Sequence, residues 1–250
     1  MLKRFCIFSL CLILLAASMG PVVQALSPTS FAPPIDQTAA DASSNFAMDD
    51  VAPGAWYYRQ VRHGFVHGYF HGSYGNFYPT RPLSRGEFVT MLGRLHVALG
   101  GALHPAQGNP FFLDLAPGAS YRPYFLWAYA QGIVRPDTQR RVRPDAVLSR
   151  AELAVMLVRY MDAFDLHSHF EGGAEDRGAF EDQGLMANWS HGAIHTLRDY
   201  GLMLGSRGLR NEPGVYYFRP QDESNRREGA VVFYRFFTQL EASLAKQSSG

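Results

Sequence analysis

Arg85, Arg150 and Arg226 each follow a small polar residue (Ser84, Ser149, Asn225) and stand two positions before a glutamate (Glu87, Glu152, Glu228). Ser-x-x-Glu, or its Asn variant, ahead of an apolar run at helical spacing marks a helix start. The small side chain takes the backbone N–H three residues on, and the glutamate returns to the first residue's N–H. The arginine then occupies the first helical position. A cation there faces the positive end of the helix dipole and costs about 0.3–1 kcal/mol if unpaired. Backbone N–H groups at the same place favour an anion, and a guanidinium fork binds carboxylate or phosphate through two parallel bonds. Anion recognition is one chemistry this pattern offers. The other reading is an internal ion pair, for instance with an aspartate of the same segment.

The three helix starts belong to a longer layout that recurs three times. The first copy runs Met48-Asp49-Asp50-Val51, Trp56-Tyr57, Gly64-Phe-Val-His-Gly68, Phe77-Tyr-Pro79 and Leu83-Ser84-Arg85-Gly86-Glu87. The second runs Phe112-Leu-Asp114-Leu115, Tyr121, Gly132-Ile-Val134, Val142-Arg-Pro144 and Leu148-Ser149-Arg150-Ala151-Glu152. The third runs Phe180-Glu-Asp182, Trp189, Gly201-Leu-Met-Leu-Gly205, Phe218-Arg-Pro220 and Ser224-Asn225-Arg226-Arg227-Glu228. In every copy the arginine lies six residues after the proline and the glutamate eight, and the aromatic follows the aspartate by six or seven. The third copy carries an insertion between Gly205 and Phe218.

Elementary rules give each copy a shape. Asp50, Asp114 and Asp182 precede an amphipathic stretch, where an acid caps or favours a helix start. A first helix is expected from the aromatic to the glycine at 64, 132 or 201. A loop held extended before Pro79, Pro144 and Pro220 follows. The second helix carries Phe88, Met91, Leu92 and Leu95 in the first copy. Leu153, Met156, Leu157 and Tyr160 take these places in the second, and Val232, Phe233, Phe236 and Leu240 in the third. The chain reads as mainly α, with helix-loop-helix units over residues 46–100, 110–165 and 178–240.

Outside these units, Lys3 and Arg4 precede an apolar run from Phe5 to Ala17, and Val23-Gln24-Ala25 offers a cleavage site. Residues 1–25 read as a secretory signal peptide, because the apolar run is shorter than the ~20 residues of a membrane span. Cys6 and Cys11 leave with it, so the mature chain has no disulfide and no thiolate metal site. Residues 26–45, rich in Ser, Ala, Pro and Thr, read as a flexible linker, and 241–250 as a frayed tail. The formal charge of +1 over 250 residues argues against nucleic acid as a partner.

The repeated motifs resemble the S-layer homology module, and three copies in tandem resemble that family's cell-surface anchoring unit. The resemblance covers about residues 46 to 240. It implies a pseudo-threefold arrangement around a central three-helix bundle, with grooves between modules. Such grooves bind secondary cell-wall polysaccharide, often through the pyruvate-ketal carboxylate of a terminal sugar. Carried over residue by residue, Arg85, Arg150 and Arg226 become the anion clamp. Trp56 and Trp189 become sugar-stacking residues, with Tyr121 in the second copy, and Gly64, Gly68, Gly201 and Gly205 allow close approach of backbone to ligand. Asp50, Asp114, Asp182, Ser84, Glu87, Ser149, Glu152, Asn225 and Glu228 are read as helix-capping or structural. The second copy has Pro136 where Gly68 and Gly205 stand. The third has Gln183 after its aspartate and Arg227 in place of a small residue.

His63, His67 and His71 step by four, as do His191 and His195, but no third ligand completes a zinc site; neither a metal nor a cofactor is expected. The expected function is noncatalytic binding of cell-wall polysaccharide by an exported protein. It acts either as a small surface protein or as the anchor for another surface protein, with no membrane span after signal cleavage. The alternative is a secreted glycan-processing enzyme using Asp50 with Glu87 or Asp182 with Glu228, since glycosidases need two carboxyls flanking one bond.

Overall fold

The computed structural model of the chain describes residues 46–105, 110–170, 179–207 and 214–248. The signal peptide expected over 1–25 and the linker expected over 26–45 lie outside the described residues. Among the described residues the chain is mainly helical: α1 (Tyr58–Val66), α2 (Arg85–Ala98), α3 (Arg122–Ala130), α4 (Arg150–Ala163), α5 (Asn188–Asp199) and α6 (Arg226–Ser248). Two short strands, β1 (Ser206–Arg207) and β2 (Tyr216–Tyr217), pair antiparallel across the extra length of the third segment. No described helix is long and apolar enough to cross a membrane.

Helices pair between segments rather than within them. α3 packs on α2, α5 packs on α4, and α1 packs on α6. Each first helix thus lies on the second helix of the segment before it, and the first segment's lies on the last. The connections are too long for a tight helical hairpin: residues 67–84 separate α1 from α2. The second helices meet one another through rings. Phe88 on α2 lies 5.4 Å from Phe233 on α6, and Tyr160 on α4 lies 5.8 Å from Phe236 on α6. His96 on α2 lies 5.9 Å from Tyr160. All twelve residues of the expected apolar stripes are buried.

Just ahead of the second helices, three backbone hydrogen bonds form a closed ring. Leu83 donates to the Ser224 carbonyl at 2.8 Å, Ser224 to Leu148 at 2.8 Å, and Leu148 to Leu83 at 2.9 Å. All three residues are buried, so these bonds satisfy groups that water cannot reach.

Three local expectations differ from the structure. The glycine that ends the first helix is Gly68 (φ +74°), equivalent to Gly132 (+71°) and Gly201 (+69°), not Gly64. The carbonyls of Gly64, Ala128 and Leu197 accept from Phe70, Val134 and Met203, closing each helix end in the same way. Gly64 is therefore a buried interior position of α1, and Pro136 aligns with Gly72 and Gly205. Second, the residues before the three prolines are left-handed rather than extended: Tyr78 at +57°, Arg143 at +53° and Arg219 at +59°. Such a conformation costs a non-glycine residue about 1–2 kcal/mol, so tertiary contacts must hold it. Third, residues 241–248 continue α6 instead of fraying. Leu240 is buried, Leu244 packs on the core, and Ser243 Oγ lies 3.2 Å from His169 Nδ1.

Candidate functional site

The second helices begin with the caps their sequences encode. Ser84 Oγ accepts from Glu87 N, and Glu87 Oε2 from Ser84 N, both at 3.1 Å. Ser149 and Glu152 do the same at 3.2 and 3.0 Å, and Asn225 and Glu228 at 3.1 and 3.3 Å. The next two N–H groups of each helix are not left for an anion. Arg85 and Gly86 donate to Ala146 and Pro144, Arg150 and Ala151 to Asp222 and Pro220, and Arg226 and Arg227 to Arg81 and Pro79. A neighbouring segment's turn fills each helix N-terminus, which corrects the expectation of open N–H groups there.

The motif arginines reach across the same junctions. Arg85 Nε donates to the Val142 carbonyl at 3.2 Å, Arg150 Nε to Phe218 at 2.7 Å, and Arg226 Nε to Phe77 at 2.7 Å. Their Nη1 atoms meet the capping glutamate of the next segment: Glu152 at 3.3 Å, Glu228 at 3.7 Å and Glu87 at 2.8 Å. Arg226 also uses Nη2, on the His71 carbonyl at 3.0 Å, and its guanidinium lies 4.7 Å from the Phe77 ring centroid. Each nitrogen of Arg226 thus has a partner within the chain, which takes three of its five N–H groups. Burial lowers the pKa of all three, partly offset by the facing glutamates. The ion pairs run between segments, not to each segment's own aspartate as the sequence suggested.

Those aspartates do not cap the first helices, whose starts carry no side-chain cap bond. Asp50 instead accepts from Phe77 N and Tyr78 N at 2.7 and 2.6 Å. Asp114 holds Val142 N and Arg143 N at 2.9 and 2.7 Å, and Asp182 holds Phe218 N and Arg219 N at 2.8 and 2.6 Å. Two successive N–H groups on one carboxylate account for the left-handed residues before the prolines. The acids of the enzyme alternative, Asp50, Glu87, Asp182 and Glu228, are thus each engaged in backbone or ion-pair contacts.

Two of the four glycines expected to admit ligand, Gly64 and Gly205, are packed by the chain itself, whereas Gly68 faces open space. A Cβ on Gly64 would lie 1.9 Å from the Phe70 ring, and one on Gly205 would lie 2.7 Å from Phe180. Gly68 and Gly201 serve as left-handed helix ends. Trp56 and Trp189 are 64% and 58% exposed, available for stacking from solvent, whereas Tyr121 is half-buried.

A groove of about 610 Å³ opens beside the N-terminal half of α2. Its walls include His71, Arg81, Glu87, Arg94, Tyr121 and Arg226. Gly86 lines the groove, where a Cβ would come 3.0 Å from the Pro144 carbonyl oxygen and 3.5 Å from the Tyr121 ring, while the equivalent Arg227 on α6 reaches over Trp56 and Tyr57, 5.9 Å from each centroid. Arg81 pairs with Glu87, which Arg226 also holds. Burial and the charge of Arg94 push the His71 imidazole below its usual range. Of the expected site residues, the groove brings together Tyr121 and Arg226 but not Arg85, Arg150, Trp56 or Trp189. Reasoning from motifs missed Arg94, although the sequence carries a signal for it. Arg94, Arg159 and Arg235 each stand nine residues after a motif arginine.

Residues 111–154 match the S-layer homology domain. The matched stretch runs from Phe111 through α3 and the loop held by Asp114 to the first turn of α4. No curated protein gives a significant match to the chain.

Proposed function

We propose that the chain is a noncatalytic anchor at the bacterial cell surface, exported by its leader and built of three S-layer homology modules in pseudo-threefold arrangement. The observation that carries this reading is that the contacts within residues 111–154, the matched stretch, recur in the segments on either side. In all three, an aspartate pins the turn before the proline, and a neighbouring arginine grips the same turn's carbonyl. The chain of contacts passes from the first segment to the second, to the third and back to the first. Three equivalent units closed in this way support a symmetric binding body with grooves at its junctions. Exposed Trp56 and Trp189 and the cation-lined groove suit an anionic polysaccharide, with carboxylated, pyruvate-ketal sugars as the fitting ligand class.

Co-sedimentation of the chain from Leu26 onward with wall sacculi of the producing cells tests this. Binding to native sacculi and loss of binding after chemical removal of the secondary polysaccharide is the expected result. Equal binding to stripped sacculi would move the ligand to the peptidoglycan itself, and no binding to either would end the anchoring reading.

A further inference from the structure

The second arginine of each repeat divides the three segments. On α4, Arg159 Nη1 donates to the Ile133 carbonyl at 3.4 Å; on α6, Arg235 Nη1 donates to Leu202 at 3.1 Å. Both carbonyls belong to the residue after the left-handed glycine, so these arginines tie a second helix to the loop of its own segment. The equivalent residue in the first segment is Tyr69, and Arg94 does not take it. Arg94 makes no hydrogen bond or ion pair with any described residue; it lines the groove with its guanidinium 5.9 Å from the Tyr124 ring. Gly93 makes this possible, because a Cβ there would fall 2.5 Å from Tyr124 Cδ1, so the ring lies close against the helix beside Arg94.

We propose that Arg94, and not a motif arginine, is the residue that recognises the carboxylate of a sugar in this groove, with Tyr121 and His71 as its flanking partners. The inference rests on the anchoring reading. The charges that line the groove are Arg81, Arg94 and Arg226 against Glu87 and Asp145. Glu87 is shared by Arg81 and Arg226, and Asp145 is solvent-exposed. Arg94 therefore supplies the cation without a carboxylate partner among the described residues. Its fork matches a carboxylate's two oxygens, its half-buried position limits competition from water, and the aromatic wall offers a face to a sugar ring. His71, whose imidazole desolvation and the charge of Arg94 hold below its usual range, adds a hydrogen-bonding group beside it.

The test compares the wild-type chain with Arg94→Gln, Arg94→Lys and Arg159→Gln in co-sedimentation with native and stripped sacculi, with glucuronic acid and glucose as soluble competitors. The expected result is at least ~10-fold weaker binding for Arg94→Gln, with unchanged thermal unfolding, because a charge-assisted bond is lost and no internal bond is broken. Arg94→Lys retains part of the affinity, Arg159→Gln binds as wild type, and glucuronic acid competes where glucose does not. Wild-type affinity in Arg94→Gln, or equal competition by glucose, overturns the assignment while the anchoring reading stands. Failure of the wild-type chain to bind native sacculi overturns both.

Discussion

Asp50 and Arg226 hold the two sides of one residue. Phe77 gives its N–H to Asp50 Oδ1 at 2.7 Å, and its carbonyl receives Arg226 Nε at 2.7 Å. Val142 is gripped in the same way by Asp114 and Arg85, and Phe218 by Asp182 and Arg150. The aspartate comes from the segment's own chain and the arginine from a neighbour. One turn therefore reports on both local folding and docking of segments.

This clamp predicts a ranking among the arginines. Arg226→Lys removes the planar contacts to the Phe77 and His71 carbonyls and weakens the pairing with Glu87 inside a buried junction. A loss of about 2–4 kcal/mol is expected in urea unfolding, since a lysine keeps the charge but cannot reach the Phe77 and His71 carbonyls and Glu87 at once, and so leaves acceptors at the junction unsatisfied. Arg85→Lys should lose roughly half as much: its Glu152 contact is longer, and its turn carries Val142 rather than an aromatic ring. Equal or reversed losses would refute this ranking of the two junctions.

Glycine substitutions separate packing from backbone freedom. Gly64→Ala places a methyl against the Phe70 ring within α1 and should destabilise by about 1–3 kcal/mol, partly recovered in a double variant with Phe70→Leu. Gly192→Ala, mid-helix in α5 with open space around it, should stabilise by about 0.5–1 kcal/mol. Thermal melts of the four chains check both. A harmless Gly64→Ala would contradict the placement of Gly64 as an interior position rather than a helix stop.

Two histidines set an acid limit on stability. Burial pushes His63 down to about 3 and His96 down to about 4. Below about pH 6.5 the unfolded chain takes up protons that the folded one refuses, so stability falls as pH drops, by up to ~1.4 kcal/mol per pH unit for each histidine. The fall from these groups levels off below about pH 3–4, once the folded histidines protonate too. Melting temperatures between pH 7.5 and 5.5, where most carboxylates stay ionised, read the summed effect, to which the lowered His71 and His195 add with the same sign. His96→Gln should flatten the slope, and a wild-type melting temperature that holds steady across this window would sink the argument.

The elements that were legible from residue order are those made by short-range forces. The capping boxes at Ser84, Ser149 and Asn225 were legible because both of their bonds span three residues. The buried stripes of α2, α4 and α6 were legible because the helical period places Phe88, Leu92 and Leu95 on one face whatever lies opposite. Tertiary approach decided the rest. Asp50 finds its donors 27 and 28 residues away and Arg226 its carbonyl 149 residues away, and no spacing rule encodes such partners. Gly64 and Gly68 fit a helix stop equally well until the Phe70 ring occupies the space beside one of them. Arg94, Arg159 and Arg235 are indistinguishable by position; they differ because a loop carbonyl receives the last two, whereas Arg94 is left facing the groove.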